Sequence, residues 1–290
     1  MKWEVETAVS VFQSWLHLPD PAPLLAAVGA VAANRLEADP VWLVLVGPPG
    51  GGKSELLGAL NGLADVYPTA TLTEAALLSG TPKKERDNGA KGGLLREIGD
   101  FGIVLCKDFG SVLNMNRDTR AAVLAALREV YDGSWTRHVG TDGGLTLHWR
   151  GKVGLVAGCT PTIDRHHAVM SAMGERFILF RLPKVNRTEQ ARKALAHSRK
   201  ESQMRRELAE AVAAIFAKPL ENPREPSTDE RHSLVSLASL VGAPSSGMAT
   251  RARWNSSRRR RHPRASSSFL TCFLPAWTPS VSSARWPGAS

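Results

Sequence analysis

Apolar residues in this chain fall into three patterns. Short, nearly unbroken runs occur at Val41-Trp42-Leu43-Val44-Leu45-Val46, Gly102-Ile103-Val104-Leu105-Cys106, Val153-Gly154-Leu155-Val156-Ala157 and Arg176-Phe177-Ile178-Leu179-Phe180-Arg181-Leu182. Runs this short and this apolar read as strands buried on both faces of a parallel sheet. Helical spacing marks Ala8 to Trp15, Pro23 to Leu36, and Arg117 to Tyr131, where Val123, Leu124, Leu127 and Val130 share a face. Thr188 to Phe216 reads as one long charged helix or two. Strict alternation appears at Gly133–Val139 and Leu145–Trp149, flanking Gly140-Thr141-Asp142-Gly143-Gly144, which is a hairpin signal. The prediction is an α/β fold: a parallel sheet of about five strands between helices, with a small helical lid.

The connection after the first strand carries the chemistry. Gly47-Pro48-Pro49-Gly50-Gly51-Gly52-Lys53-Ser54 stands between a buried strand and a helical pattern opening at Glu55-Leu56-Leu57. Strand, glycine-rich loop and helix form the unit that cradles the phosphates of a nucleoside triphosphate. Glycines let backbone N–H groups curl around a phosphate at the positive end of the helix. Lys53 is placed to reach the β- and γ-phosphates, and the Ser54 hydroxyl to ligate Mg²⁺. The motif predicts binding of ATP or GTP.

Such a loop needs an acid on a neighbouring strand to hold the Mg²⁺ water shell. The run Gly102 to Asp108 offers one at its end, Asp108. A second carboxylate directly after the first would polarise the attacking water, but that position is Phe109. Glu97, Asp100 and Glu129 stay open as the catalytic base. His166-His167, His138 and His148 do not form a metal set, because adjacent histidines diverge and no Cys or acid completes a ligand shell.

Together these features resemble the AAA+ ATPases over about residues 25–185, with a helical lid to about 241. The resemblance is to the branch with a hairpin just before the fourth core strand, which includes minichromosome-maintenance-type helicases and enhancer-binding transcription activators. The stretches Leu94–Gly99 through Tyr131–Gly133 also look like ATP-binding proteins of bacterial prophages and integrated elements. The resemblance implies ATP and Mg²⁺ as cofactors, with Lys53 and Ser54 on the nucleotide loop and Asp108 as the metal acid. It places Thr160, after the fourth strand, as the γ-phosphate sensor. Arg176, in Met173-Gly174-Glu175-Arg176-Phe177, falls where an arginine finger reaches a neighbouring subunit's ATP, which implies a ring of identical chains. Capping a strand or pairing with Glu175 is the plainer role for Arg176, and a turn residue the plainer role for Thr160. A second sensor arginine is implied in the lid, and the spacing does not choose between Arg187 and Arg192.

The hairpin 133–152 carries Trp135, Arg137, His138, His148, Trp149, Arg150 and Lys152. Three roles stay open for it: gripping DNA phosphates and bases, touching a protein partner, or packing its tryptophans on the domain's own core. The charged stretch Gly80 to Gly93 is non-periodic and reads as a mobile loop, either a solvated connection or a substrate grip. The helical stretches before residue 36 are expected beside the nucleotide's base.

Charge refines this picture. The formal net charge is +10, but residues 243–290 hold eight arginines and no acid, and removing those eight leaves +2 for residues 1–242. From about Gly242 the composition turns to Ser, Arg, Pro and Trp, and three of the eight tryptophans (Trp254, Trp277, Trp286) lie there without a packing pattern. Either this is a disordered basic arm, with Arg258–Arg261 as its core, or the reading frame shifts near codon 242; exposed Trp, Phe and Cys favour the shift. The expected organisation is a core with N-terminal helices over 1–185, a lid over 186–241 and a tail over 242–290. No run of about 18 apolar residues predicts a membrane span. Met1-Lys2-Trp3-Glu4-Val5-Glu6 places acids where a signal peptide is apolar, and Cys106, Cys159 and Cys272 lack metal or redox spacing, so the expected compartment is the cytoplasm. A nucleotide-binding switch or partner-binding remnant with little turnover is the competing functional class.

Overall fold

The structure, a computed structural model, describes residues 2–79, 92–140, 145–174, 176–220, 225–233 and 235. Met1–Leu220 cluster as one compact unit and Glu221–Ser290 as a second. The change of composition after Gly242 and most of the Gly80–Gly93 stretch lie outside the described residues.

The first unit opens with helices α1 (Lys2–Trp15) and α2 (Ala22–Arg35). Strand β1 (Trp42–Val46) leads through the glycine-rich turn into α3 (Lys53–Gly58), and β2 (Val66–Thr69) follows. Short helices α4 (Glu74–Leu77) and α5 (Leu94–Ile98) precede β3 (Phe101–Cys106). Next come α6 (Gly110–Leu113), α7 (Arg117–Tyr131), the hairpin strands β4 (Ser134–Val139) and β5 (Leu145–Arg150), and β6 (Lys152–Cys159). Helix α8 (His167–Ala172), strand β7 (Phe177–Arg181) and helices α9 (Arg187–Ala196) and α10 (Glu201–Ile215) complete the unit.

Five strands form one parallel sheet in the order β2-β3-β6-β1-β7, and β4 and β5 make a separate antiparallel pair. This is the expected α/β architecture. All five residues of β1 are buried, as its unbroken apolar run requires for a central strand covered on both faces. Trp42, Val44 and Val46 share one core cluster with α7 and the hairpin. The opposite face meets α2 and α3, where Asn34 lies over Gly154 and Leu57 over Gly158. Edge strand β2 accommodates Pro68, which a central strand would not. Helix α7 starts where the Asn116 side chain accepts from the Thr119 N–H (2.9 Å) and buries Val123, Leu124, Leu127 and Val130.

Of the two readings for Thr188 to Phe216, one helix or two, the structure has two, α9 and α10, separated by a turn where Arg199 has φ 68°, the one non-glycine residue with positive φ among those described. Helix α10 packs on α1. The Trp15 indole N–H donates to Glu207 (2.7 Å), and Lys193 donates to the Gln13 carbonyl. In the second unit, Ser227 and Glu230 exchange side chain-to-backbone hydrogen bonds (2.8 and 3.4 Å) and cap a helical turn beginning at residue 228. Among the described residues no helix is long and apolar enough to cross a membrane.

Asn34 is the buried polar hinge of the α2 side. Its amide donates to the Ala30 and Val41 carbonyls (2.8 and 2.9 Å) and accepts from the Val41 N–H (2.8 Å). It occupies the space that a side chain at residue 154 would need: a Cβ on Gly154 would meet the Asn34 amide at 2.4–2.6 Å. Asn34→Ala is expected to lower the unfolding free energy by about 1–3 kcal/mol, since the Val41 N–H loses its buried partner. Gly154→Ala should cost less in the Asn34→Ala background than in the wild type. A double-mutant cycle by urea denaturation checks the coupling, and strict additivity would refute the contact.

Candidate functional site

The chain leaves β1 toward β2 on one side and returns from β6 to β7 on the other, so the sheet's topological switch point lies between β1 and β6. Parallel sheets bind ligands in the crevice at the carboxyl ends of strands beside such a point. Gly47 sits there, its N–H donating to the Cys159 carbonyl across the gap (3.1 Å). Pro48 to Gly51 form a tight turn closed by Gly51 N–H to Pro48 O (3.1 Å), with Gly50 at φ 73°. Proline second and a left-handed glycine third is the chemistry of a type II turn. Gly52, also left-handed at φ 82°, caps α3.

Lys53 is buried at the loop's base, where its ammonium donates to the Gly47 and Pro48 carbonyls (2.6 and 2.8 Å). Burial lowers its pKa, and the nearby Cys159 and Asp108 act in the opposite direction. Ser54 is exposed in the first turn of α3. Asp108 lies two residues beyond β3, held by Gly110 N–H to its carboxylate (3.0 Å), and its side chain is exposed. Beneath it, burial and the Asp108 charge raise the Cys159 thiol, and burial pushes Cys106 up to about 11. The Thr160 hydroxyl, just past β6, donates to Thr162 Oγ1 (2.9 Å). Loop, Lys53, Ser54, Asp108 and Thr160 therefore meet at one edge of the sheet.

Other candidates lie elsewhere. Asp100 directly precedes β3, and its carbonyl accepts from the Lys152 N–H at the start of β6 (2.8 Å); Asp108 lies past the strand's other end, about 26 Å along at strand rise. Glu97 precedes Asp100, and Glu129 lies at the far end of α7 beside Tyr131. All three stand near the amino edge, away from the glycine loop. Phe109 is wholly buried with its ring 5.3 Å from Phe177, so the position after Asp108 belongs to the core. Two carboxylates that sequence reasoning passed over do lie near the loop's edge. Glu55 is bound by Arg205 (3.0 Å), and Asp164 by Arg181 (2.6 Å), which holds Asp164 below the usual carboxylate range.

Arg176 is also at the amino edge. It precedes Phe177, which is in register with Trp42, whereas Gly47 lies beyond Val46, about 16 Å further along β1. Its guanidinium donates twice to the Asp132 carboxylate (2.9 Å each) and once to the Met173 carbonyl (3.0 Å), over the Tyr131 ring (5.2 Å). Its Nε is buried without a hydrogen-bond partner. Glu175, the partner weighed from sequence, lies outside the described residues.

A cleft of about 520 Å³ opens beside the loop. The N-terminal segment Trp15 to Asp20 forms one wall; α9 and Glu201 and Met204 of α10 form the other. Arg187 lines this cleft, whereas Arg192 pairs with Glu189 (2.8 Å). Gln190 donates to the Gly50 carbonyl (2.8 Å). Neither Gln190 nor Arg205 had a sequence signal, because both act across contacts of about 140 residues or more in the chain.

The hairpin turns its tryptophans inward. Trp135 and Trp149 are cross-strand partners, both buried, and Trp149 donates to the Gly99 carbonyl (2.9 Å). Arg137 donates to the Leu78 carbonyl, and Lys152 to that of Leu36 (2.6 Å). The outward face carries Thr136, His138, Thr146, His148 and Arg150, with Thr136–His148 and His138–Thr146 hydrogen-bonded across the strands (3.0 Å each). Among the described residues no three His, Cys, Asp or Glu side chains converge to hold a metal.

No protein-family model and no curated protein matches the chain. Among solved structures it is similar to a JCV helicase bound to a small thiazolopyridine-containing compound: 17% identical, covering 82% of this chain, at a TM-score of 0.38. The match spans 60% of that helicase chain's length. At that TM-score the overlap carries no weight for function, and the site's chemistry rests on its own residues.

Trp149→Ala is expected to lower the unfolding free energy by about 3–5 kcal/mol, the usual cost of emptying a buried aromatic site. Arg150→Ala, on the outward face, should stay within about 0.5 kcal/mol of the wild type. Guanidinium unfolding of both variants checks the orientation, and equal effects would reverse it.

Proposed function

We propose that this chain binds ATP with Mg²⁺ at Gly47–Ser54 and hydrolyses it as a member of the AAA+ class. The observation that carries the reading is the convergence of the glycine loop, Lys53, Ser54, Asp108 and Thr160 at the switch point, beside a cleft large enough for a nucleotide. The donor set suits Mg²⁺, a hard cation that takes oxygen ligands and keeps several waters. The Ser54 hydroxyl and the exposed Asp108 carboxylate would hold it, so the lack of a three-residue cluster among the described residues is no obstacle. When bound, the ion would offset the charge that develops between the β- and γ-phosphates.

The chain's own residues do the rest. Ammonium Lys53, anchored at the loop mouth by two carbonyls, offers its remaining proton to phosphate oxygens. Asp108 and Ser54 hold the metal, and Thr160 orients the terminal phosphate. Arg187 is favoured over Arg192 as the lid's sensor, since it lines the cleft.

A ring and a DNA-handling role are the finer reading. Arg176 stands at the edge opposite its own loop, so it could serve only a neighbouring subunit's nucleotide, after leaving Asp132. The hairpin lies directly before β6, the fourth strand of the sheet in chain order, and its outward Thr, His and Arg groups suit phosphate contacts. A nucleotide switch with little turnover is the second reading, favoured by the burial of Phe109 where a second acid would stand.

Lys53→Ala is expected to weaken ATP binding roughly 10–100-fold, the loss of one charge-assisted contact, with the fold intact by circular dichroism. Asp108→Asn should lose Mg²⁺-dependent hydrolysis by about 10²-fold with little change in ATP affinity. Unchanged binding in the first variant removes the site assignment. Turnover measured with and without single-stranded DNA separates motor from switch.

Arg176→Ala should keep ATP binding and lose turnover by roughly 10³-fold. Mixed with Lys53→Ala subunits, it should regain activity at junctions that join an intact loop to an intact arginine. A mixture that stays inactive under assembling conditions assigns Arg176 to holding the entry of β7.

A further inference from the structure

Two side chains of α9 and α10 bond to the phosphate loop and the helix it opens, and they differ in weight. Arg205 of α10 donates to both oxygens of Glu55 (3.1 and 3.0 Å), but the arginine is 64% exposed, and an ion pair so open to water adds little. Gln190 of α9 instead donates to a backbone atom of the loop itself, the Gly50 carbonyl, at 2.8 Å. Resting on the nucleotide-binding reading above, we infer that Gln190 is a positioning residue that locks the Gly50–Gly51 peptide in the orientation the phosphate loop needs.

The geometry is specific to that peptide. Its N–H end is held inside the turn by the Pro48 carbonyl (3.1 Å), and its C=O end is held outside by Gln190 (2.8 Å). Gly50 at φ 73° meets no atom within 4 Å of where a Cβ would stand, so no side-chain packing opposes rotation there. Glycine flanked by glycine costs the most conformational freedom to order. Two hydrogen bonds on opposite ends of one peptide supply the order that packing does not. If the peptide flips, both hydrogen bonds are lost, its carbonyl turns onto that of Pro48, and the turn that shapes the loop opens.

Gln190 also reports in the other direction. It stands in the first turn of α9, whose start is fixed by Asn186 accepting from the Thr188 and Glu189 N–H groups (3.0 and 3.4 Å). Ala191 and Ala194 of the same helix line the cleft. The loop's tip and the cleft wall thus share one rigid element.

The test uses the full chain and three variants. Gln190→Met keeps length and helix propensity but has no donor, Gln190→Lys restores a donor of similar reach, and Lys53→Ala is the control for the site. Binding of a fluorescent ATP analogue is read beside amide exchange of the peptide spanning residues 47–54 without nucleotide. Gln190→Met should bind roughly 3–10-fold more weakly, the worth of one hydrogen bond. Its loop amides should exchange faster while α9 and the melting temperature hold, and Gln190→Lys should return loop exchange toward the wild type. Unchanged affinity and exchange in Gln190→Met overturn the inference. So does weaker binding with loop exchange unchanged and α9 deprotected, which makes Gln190 a lid-packing residue. If Lys53→Ala binds as the wild type does, the nucleotide reading fails, and the exchange data alone still decide whether Gln190 holds the loop.

Discussion

The constraint on which the site depends is the position of β1 between two parallel neighbours. Val46 is in register with Cys159 on one side and Arg181 on the other. The ladder does not stop at the strand ends: Gly47 N–H reaches Cys159 O at 3.1 Å, and Leu182 N–H reaches Val46 O at 2.8 Å. The Leu182 side chain then closes on Gly47, where a Cβ would stand 3.1 Å away. A chain that leaves a strand clamped in this way has one direction to go. Backbone polar groups at such a point must be paired or turned toward a ligand, which is why the glycines follow at once.

The same sheet divides the molecule's chemistry into two edges. Lys53, Asp108 and Thr160 lie at the carboxyl ends, whereas Arg176, Asp132 and the root of the hairpin lie at the amino ends. Arg176 is held by the half-exposed Asp132 carboxylate, the Met173 carbonyl and the Tyr131 ring, with its Nε unpartnered. Moving that arginine away from this edge would give up all of these contacts.

Much of this was legible in the sequence, for identifiable reasons. Unbroken apolar runs marked the central strands, and Arg117–Tyr131 was readable because Val123, Leu124, Leu127 and Val130 recur at helical spacing. The glycine loop needs no tertiary information at all. What failed was proximity. Glu97 and Asp100 are close to Asp108 along the chain, but a strand of six residues lies between, and in a parallel sheet its two ends face different edges. That signal was present and could have excluded both acids. Trp135 and Trp149 illustrate a different limit: alternation shows that one face is apolar but not whether it meets its own core or a partner. Gln190 and Arg205 were beyond reach, since their contacts join helices to a loop that no local pattern connects.

Strand β6 deserves a mechanical description. It is the longest strand, Lys152–Cys159, hydrogen-bonded to β3 on one side and β1 on the other, and seven of its eight residues are buried. Thr160 stands at one end and Gly151, packed against the Asp100 carbonyl, at the other. A strand laddered on both flanks in a close-packed core has little slack. Thr160 and Gly151, at the base of the hairpin, are thus the two ends of one stiff element about 30 Å long.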